Sequence, residues 1–258
     1  MQERRTKKTV RLGQVTLGSG MPKICVPVMG ADAAQMREAA VRAAEARADV
    51  IEVRIDSLKE APDVCEAAEV CRAVREAAGG IPLLLTMRTK RDGGPGSDDA
   101  AHYEALLCGA AAAGVCEAID CELSVGEERF ARIVRAAHAA GVKVVGSSHE
   151  FGEMDDMGRA AAWLERQEAL DADVCKAAVM ARTGTQALEA ALAMARAGER
   201  MSAPIIAIAM GPAGVLTRVG GACLGSCLTF GTAGEASAPG QMDARTLRTV
   251  LEALQTAL

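Results

Sequence analysis

The stretch ERFARIVRAAHAAGVKVVGSSH, residues 128–149, reads as one helix followed by one strand. Its first half repeats apolar side chains at helical spacing, and Ala, Arg and Glu are good helix formers. Ala140, Gly141 and Val142 interrupt that pattern, and VKVVGSSH continues as a short β-rich run. The same AGV triplet, at Ala113, Gly114 and Val115, precedes another such run. Outward from here the alternation covers the chain. Strand-like runs begin near Pro22, Val50, Ile81, Val115, Val142, Asp173, Pro204 and Gly225, with Ala-rich helical runs such as AAQMREAAVRAAEARA between them. Strand-then-helix units imply parallel strands joined by helical crossovers. An open doubly wound sheet also alternates, but no G-x-G-x-x-G follows the first run, and a count of eight favours closure. The expected fold is therefore α/β, a (β/α)8 TIM barrel, with residues 1–258 forming a single domain. TVRLGQVTLGSG, residues 9–20, reads as a β-hairpin and is expected to close the bottom of the barrel.

Composition agrees and excludes several functions. The chain has 258 residues, and one such barrel typically takes about 250. With 50% hydrophobic and 24% charged residues it can fill a large core and is too apolar for a disordered chain. A net charge of -5 and 2% aromatics leave neither a basic surplus nor stacking platforms, so no nucleic-acid partner is expected. The charged start MQERRTKKTVRL has no apolar segment after it, which argues against a secretory signal. No uncharged apolar run is long enough for a membrane span. The 9 cysteines show no C-x-x-C spacing, and several sit in apolar runs, so free thiols in a reducing cytoplasm are expected. His102, His138 and His149 do not cluster with them, and no metal site is expected.

In such a barrel the active site lies at the C-terminal ends of the strands. Polar residues late in an apolar strand therefore need a reason. Glu52, Arg54 and Asp56 share one face of the second strand by the period of two. They form either a charged cluster at the barrel mouth or a structural ion pair. The third strand ends in Arg88, whose planar fork suits a carboxylate or hydroxyl; the polar stretch beyond it, through Lys90, Asp92, Gly93 and Gly94, reads as a surface loop. Asp120 and Glu122 share a face of the fourth strand; paired carboxylates can do acid–base work, and the alternative, preferred here for both, is that they hold neighbouring cations in place. His149, after Ser147 and Ser148, is the one histidine at a strand's C-terminal end. It can serve as base and acid near neutrality, or it can be a hydrogen-bonded core histidine.

Seven lysines narrow the search further. Lys23 and Lys143 lie at strand starts, and Lys7, Lys8, Lys59 and Lys90 lie in polar segments. Lys176 alone sits inside an apolar strand, VCKAAVM. Burial disfavours the ammonium form and leaves an amine that can attack a ketone. The alternative is a lysine paired with a buried carboxylate such as Glu122. Later, Arg218 is a candidate carboxylate clamp. Ser237 and Gln241, in the loop running from Glu235, can hydrogen-bond hydroxyls, although S-A-P-G-Q alone signals only a turn.

Taken in order, these pieces resemble the type I 3-dehydroquinate dehydratases of the shikimate pathway. The motifs are Glu52, Arg54 and Asp56; Arg88 before Gly93 and Gly94; Ser147, His149, Glu150 and Phe151; Lys176; Thr217 and Arg218; and the Ser237 to Gln241 loop. The resemblance implies a reaction with no metal or organic cofactor. Lys176 would condense with the C3 ketone of 3-dehydroquinate, and His149 would take the C2 proton and return one to the departing C1 hydroxyl. It matches Arg218 to the residue that binds the substrate carboxylate. It matches Glu52, Arg54, Arg88, Ser237 and Gln241 to residues that hold hydroxyls or line the site, with Phe230 packed beside them. A homodimer is also implied. Two positions depart from the family pattern. Asp92 stands where a glutamate commonly orients the catalytic histidine, and Val53 stands where an aromatic is common. Asp92 is expected to partner His149 all the same. Two rivals remain at this point: another Schiff-base barrel lyase of the class I aldolase type, and a non-catalytic barrel that binds a shikimate-type ligand.

Overall fold

A computed structural model describes residues 6–58, 62–234 and 236–257; Lys59 and Glu235 lie outside the described residues. Strands β1 (Val10–Leu12) and β2 (Val15–Leu17) pair antiparallel as the expected hairpin. Then strands and helices alternate: β3 (Lys23–Val28), α1 (Ala33–Glu45), β4 (Val50–Arg54), α2 (Val64–Ala78), β5 (Leu83–Thr86), α3 (Ala100–Ala112), β6 (Ala118–Glu122) and α4 (Glu127–Ala139). The series continues through β7 (Lys143–Glu150), α5 (Arg159–Ala169), β8 (Val174–Met180), α6 (Gly184–Arg200), β9 (Ile205–Met210), α7 (Val215–Val219), β10 (Leu228–Phe230) and α8 (Ala244–Gln255). The parallel order is β10-β3-β4-β5-β6-β7-β8-β9. Closure between β9 and β10 rests on a bridge of Ile205 with Ser226 and on the Cys227 N–H, which donates to the Ile205 carbonyl at 2.8 Å. The barrel expectation holds.

Local chemistry explains the boundaries. Asp63 caps α2 by accepting from the N–H groups of Cys65 and Glu66, and the Glu66 carboxylate accepts the Asp63 N–H in return. The AGV triplets end α3 and α4 because Gly114 (φ 62°) and Gly141 (φ 76°) take the left-handed conformation that other residues resist.

Strand alternation sorts the core into two layers. Ile24, Ile51, Leu83, Ile119 and Val144 pack outward under the helices. Cys25, Val50, Leu84, Ala118, Val145 and Val174 point inward and meet Val10, Leu12 and Leu17 of the hairpin. The hairpin thus floors the barrel, as expected. Fully burying a side chain such as Leu17 stabilises the fold by about 1.5–3 kcal/mol. With the lower end sealed by apolar groups, the polar inward residues are left at the upper end.

Candidate active site

Lys176 is the third residue of β8 and points into the upper barrel, 4% exposed. Its Nζ lies 3.3 Å from Asp120 Oδ2 and 4.5 Å from the centre of the Phe230 ring. The lysine does have a buried carboxylate beside it, the alternative raised from the sequence, but it is Asp120 and not Glu122. Both project inward from β6, but Glu122 lies further up the barrel, where it binds Arg88 Nη1 at 2.7 Å and the Thr89 N–H at 3.0 Å.

Arg88 lies past the end of β5, not on the strand, because pairing stops at Thr86. Its guanidinium is buried and held three ways: Asp120 Oδ2 at 2.9 Å, Glu122 Oε1 at 2.7 Å and Ser147 Oγ at 3.2 Å. Ser147 Oγ in turn donates to Asp120 Oδ1 at 2.6 Å. Burial alone would raise the Asp120 carboxyl, yet Arg88 and then Lys176 hold it well below the usual range. Burial pushes Glu122 up to about 7, against the pull of Arg88. Arg88 is the hub that lets two carboxylates sit in the interior.

His149, next to last in β7, is aimed by Asp92. The Asp92 Oδ2 lies 3.0 Å from His149 Nδ1 and also accepts the His149 backbone N–H at 3.1 Å. Burial would raise the Asp92 carboxyl, but the hydrogen bond from His149 and the nearby charge of Arg88 hold it low. An ionised Asp92 can only accept, so Nδ1 carries the proton and Nε2 keeps its lone pair. Burial, with Arg88 and Lys176 adding to it, pushes His149 down to about 3, although the Asp92 bond pulls upward. The imidazole is therefore neutral at pH 7, the form a general base requires.

The remaining polar residues ring the mouth. Asp56 leaves the strand on a 3-10 turn, Ile55–Ser57, and grips Arg54 through two bonds of 2.9 and 2.6 Å. Glu52 accepts from Thr86 Oγ1 at 2.9 Å. Arg218, on α7, is 1% exposed and donates through Nη2 to the Pro239 carbonyl at 3.0 Å. Its Nε has no partner, and no carboxylate among the described residues pairs with it. Burial lowers its pKa to about 10, which leaves it cationic at neutral pH. Ser237 and Gln241 bind one another, Ser237 N–H to Oε1 and Nε2 to Oγ, each at 2.9 Å. Their loop is seated at Gly240 on Gly211, the residue just past β9, where a Cβ would come within 2.5 Å of the Gly211 carbonyl oxygen.

One cleft of about 500 Å³, open to solvent, collects these groups. Glu52, Arg54, Arg88, His149, Lys176, Arg218, Phe230, Ser237 and Gln241 all line it, and Asp92 stands behind His149. Ala178, Ile208 and Met210 line it too. The sequence reading had not assigned them to the site, although Ala178 follows Lys176 by one period of two and Ile208 and Met210 alternate on β9. Phe151 and Gly93 touch across the entrance; a Cβ on Gly93 would meet the Phe151 ring at 2.2 Å. The arrangement presents a lysine, a neutral imidazole and an arginine without a carboxylate partner among the described residues to one small, half-apolar space.

Comparison with known proteins places the chain in a family. The sequence model of the family described as type I 3-dehydroquinase matches residues 24–257. A 3-dehydroquinate dehydratase of Shigella boydii serotype 4 is 35% identical over 97% of this chain and 100% of its own. That of Listeria welshimeri serovar 6b is 36% identical over 93% of this chain and 95% of its own. Among solved structures, the type I enzyme of Clostridium difficile, described with covalently modified comenic acid, superposes with a TM-score of 0.93. It is 33% identical, covering 98% of this chain and 100% of that one. The 3-dehydroquinate dehydratase of Geobacillus kaustophilus gives a TM-score of 0.93 at 31% identity over 98% of this chain and 99% of that one.

Proposed function

Since this chain belongs to the type I 3-dehydroquinase family, we propose that Lys176 and His149 are the residues that carry its reaction. That reaction is the dehydration of 3-dehydroquinate to 3-dehydroshikimate, a step of the shikimate pathway catalysed by a hydro-lyase working through a Schiff base. Lys176 Nζ adds to the C3 carbonyl, and loss of water gives a cationic imine. The imine withdraws electrons from C2, so His149 Nε2 can take a C2 proton and leave an enamine. The enamine pushes out the C1 hydroxyl, which leaves as water with the proton returned by His149. Hydrolysis of the imine then restores Lys176. One histidine serves both proton steps because it starts neutral.

The single observation that supports this reading most is the convergence of Lys176 and the Asp92-oriented His149 on one cleft. Asp92 acts as the orienting group in place of the family's glutamate, in direct contact and with no bridging water required. Arg218 takes the substrate carboxylate, since it lines the cleft as a cation that no carboxylate among the described residues pairs with. Glu52, Arg54, Arg88, Ser237 and Gln241 hold hydroxyls or shape the site, and Phe230 packs against the Lys176 amine. The test is turnover of 3-dehydroquinate by Lys176→Met and His149→Ala. Both are expected to lose it by at least about 100-fold while remaining folded. Wild-type rates in either variant would overturn that residue's role.

The assembly and compartment belong to the same reading. A homodimer is supported by the habit of the family, and light scattering on the purified chain decides it. A cytoplasmic location is supported by the free thiols, Cys25, Cys71, Cys116, Cys121, Cys175 and Cys227 being buried. No helix among the described residues is long and apolar enough to cross a membrane.

A further inference from the structure

Helix α5 buries Ala160, Leu164 and Gln167 on its inner stripe. The last of these is a polar residue at a position that calls for an apolar one, and it is 0% exposed. A buried amide is costly unless its bonds are made. Those of Gln167 are made to particular groups. Its Oε1 accepts the Lys176 backbone N–H at 2.9 Å, and its Nε2 donates to the Lys176 carbonyl at 3.0 Å. The same Nε2 lies 3.1 Å from Ser148 Oγ, on the residue just before His149. The approach depends on Gly146, which pairs with Cys175 across the two strands. A Cβ there would come within 3.1 Å of the Gln167 Cβ and 3.0 Å of both Phe130 Cζ and Ala172 Cβ.

We propose that Gln167 is a positioning residue for the dehydration: its side-chain amide clamps both peptide groups of Lys176 and ties them to Ser148, fixing the amine against His149. The inference rests on the Lys176 and His149 reading above. The lysine's four-carbon stem can aim its amine no better than its Cα is held. Gln167 is the side chain that grips that backbone from outside the barrel, and it bridges the strand of the nucleophile to the strand of the base. A displacement of about 1 Å between reacting groups costs on the order of 100-fold in rate. A buried glutamine that only satisfied its own bonds would affect stability and leave the chemistry of the folded fraction alone.

The experiment compares the parent chain with Gln167→Met, an apolar side chain of similar length, and Gln167→Glu. The folded fraction comes from circular dichroism. Steady-state kcat and KM for 3-dehydroquinate are measured beside the rate at which a borohydride-reducible adduct appears on Lys176. For Gln167→Met the expected result is a fall of at least about tenfold in kcat per folded molecule and in adduct formation, with KM within about twofold. Gln167→Glu should recover turnover relative to the parent as pH falls, because a protonated carboxyl can both accept the Lys176 N–H and donate to its carbonyl. Parental kcat and adduct rate in Gln167→Met overturn the proposal, whatever the change in melting temperature. Should Gln167→Met not fold, the glutamate variant decides: activity relative to the parent that stays flat with pH overturns it. Absence of any adduct in the parent chain overturns the Lys176 reading, and the positioning role with it. Normal trapping in the parent with unchanged variants overturns the positioning role alone.

Discussion

Asp92 holds His149 twice with one oxygen: Oδ2 lies 3.0 Å from the ring Nδ1 and 3.1 Å from the backbone nitrogen of the same residue. Asp92, one methylene shorter than a glutamate, thus reaches His149 by contacting the strand end as well as the ring. Asp92→Ala is expected to reduce kcat by about 10- to 100-fold and to alter the pH profile, because the ring loses its tautomer and its aim. Unchanged turnover with an unchanged profile would sink the partnership.

The acid limb of kcat/KM reports the free enzyme. Burial, with the charges of Arg88 and Lys176 beside it, pushes His149 down to about 3. A base with a lowered pKa stays unprotonated as pH falls, so activity should persist well below the ordinary histidine value of about 6.5. Arg88→Met removes a positive neighbour and should move that limb upward. An acid limb at or above 6.5 in the parent chain contradicts the assignment.

Arg88 and Arg218 are both buried, yet their loss should act in opposite ways. Arg88→Met leaves Asp120 and Glu122 in the interior without their shared cation, a loss of about 3–5 kcal/mol in chemical denaturation. Arg218→Met removes a cation with no carboxylate partner among the described residues. The ligand-free chain should then keep or gain stability, while KM rises by about 10- to 100-fold, the equivalent of one charge-assisted contact. Arg218→Lys should not restore KM, since a point charge cannot replace the fork. A destabilised Arg218→Met with normal KM would point to a structural role instead.

The hairpin floor makes a separate prediction. Leu17 is fully buried among the lowest inward residues of the barrel. Leu17→Ala should cost about 2–5 kcal/mol in urea denaturation and leave KM unchanged, because the cleft lies at the other end. A change in KM without a change in stability would place the hairpin in communication with the site.

Much of this was legible in the sequence because local chemistry wrote it there. The glycines of the AGV triplets mark where helices end, and both take positive φ in the structure. Lys176 stood out as the one lysine within an apolar strand. Less legible was anything set by how far a side chain reaches. Asp120 and Glu122 share a face by the period of two, and the sequence could not say which of them meets Lys176. Strand pairing alone points to Glu122, since Ser147 pairs with both Glu122 and Lys176; the side chains decide otherwise, because Arg88 and the Thr89 N–H hold Glu122 while Asp120 Oδ2 lies 3.3 Å from the lysine Nζ. The β-rich run IPLLLTM, residues 81–87, reads on into Arg88 without a turn signal, so sequence alone puts Arg88 on the strand. Pairing with β6 ends at Leu85 and pairing with β4 at Thr86, so Arg88 lies beyond the strand and turns inward to Asp120 and Glu122. Gln167 left one readable sign, a polar residue spaced from Ala160 and Leu164 on a buried stripe. Its partners are backbone groups, which no side-chain pattern records.

The central claim is a covalent one, that Lys176 forms the imine. Incubation with 3-dehydroquinate, reduction with borohydride, digestion and mass spectrometry test it directly. The account predicts a reduced substrate or product adduct on the peptide containing Lys176, abolished in Lys176→Met. An adduct on another lysine, or none in folded protein that turns the substrate over, would contradict it.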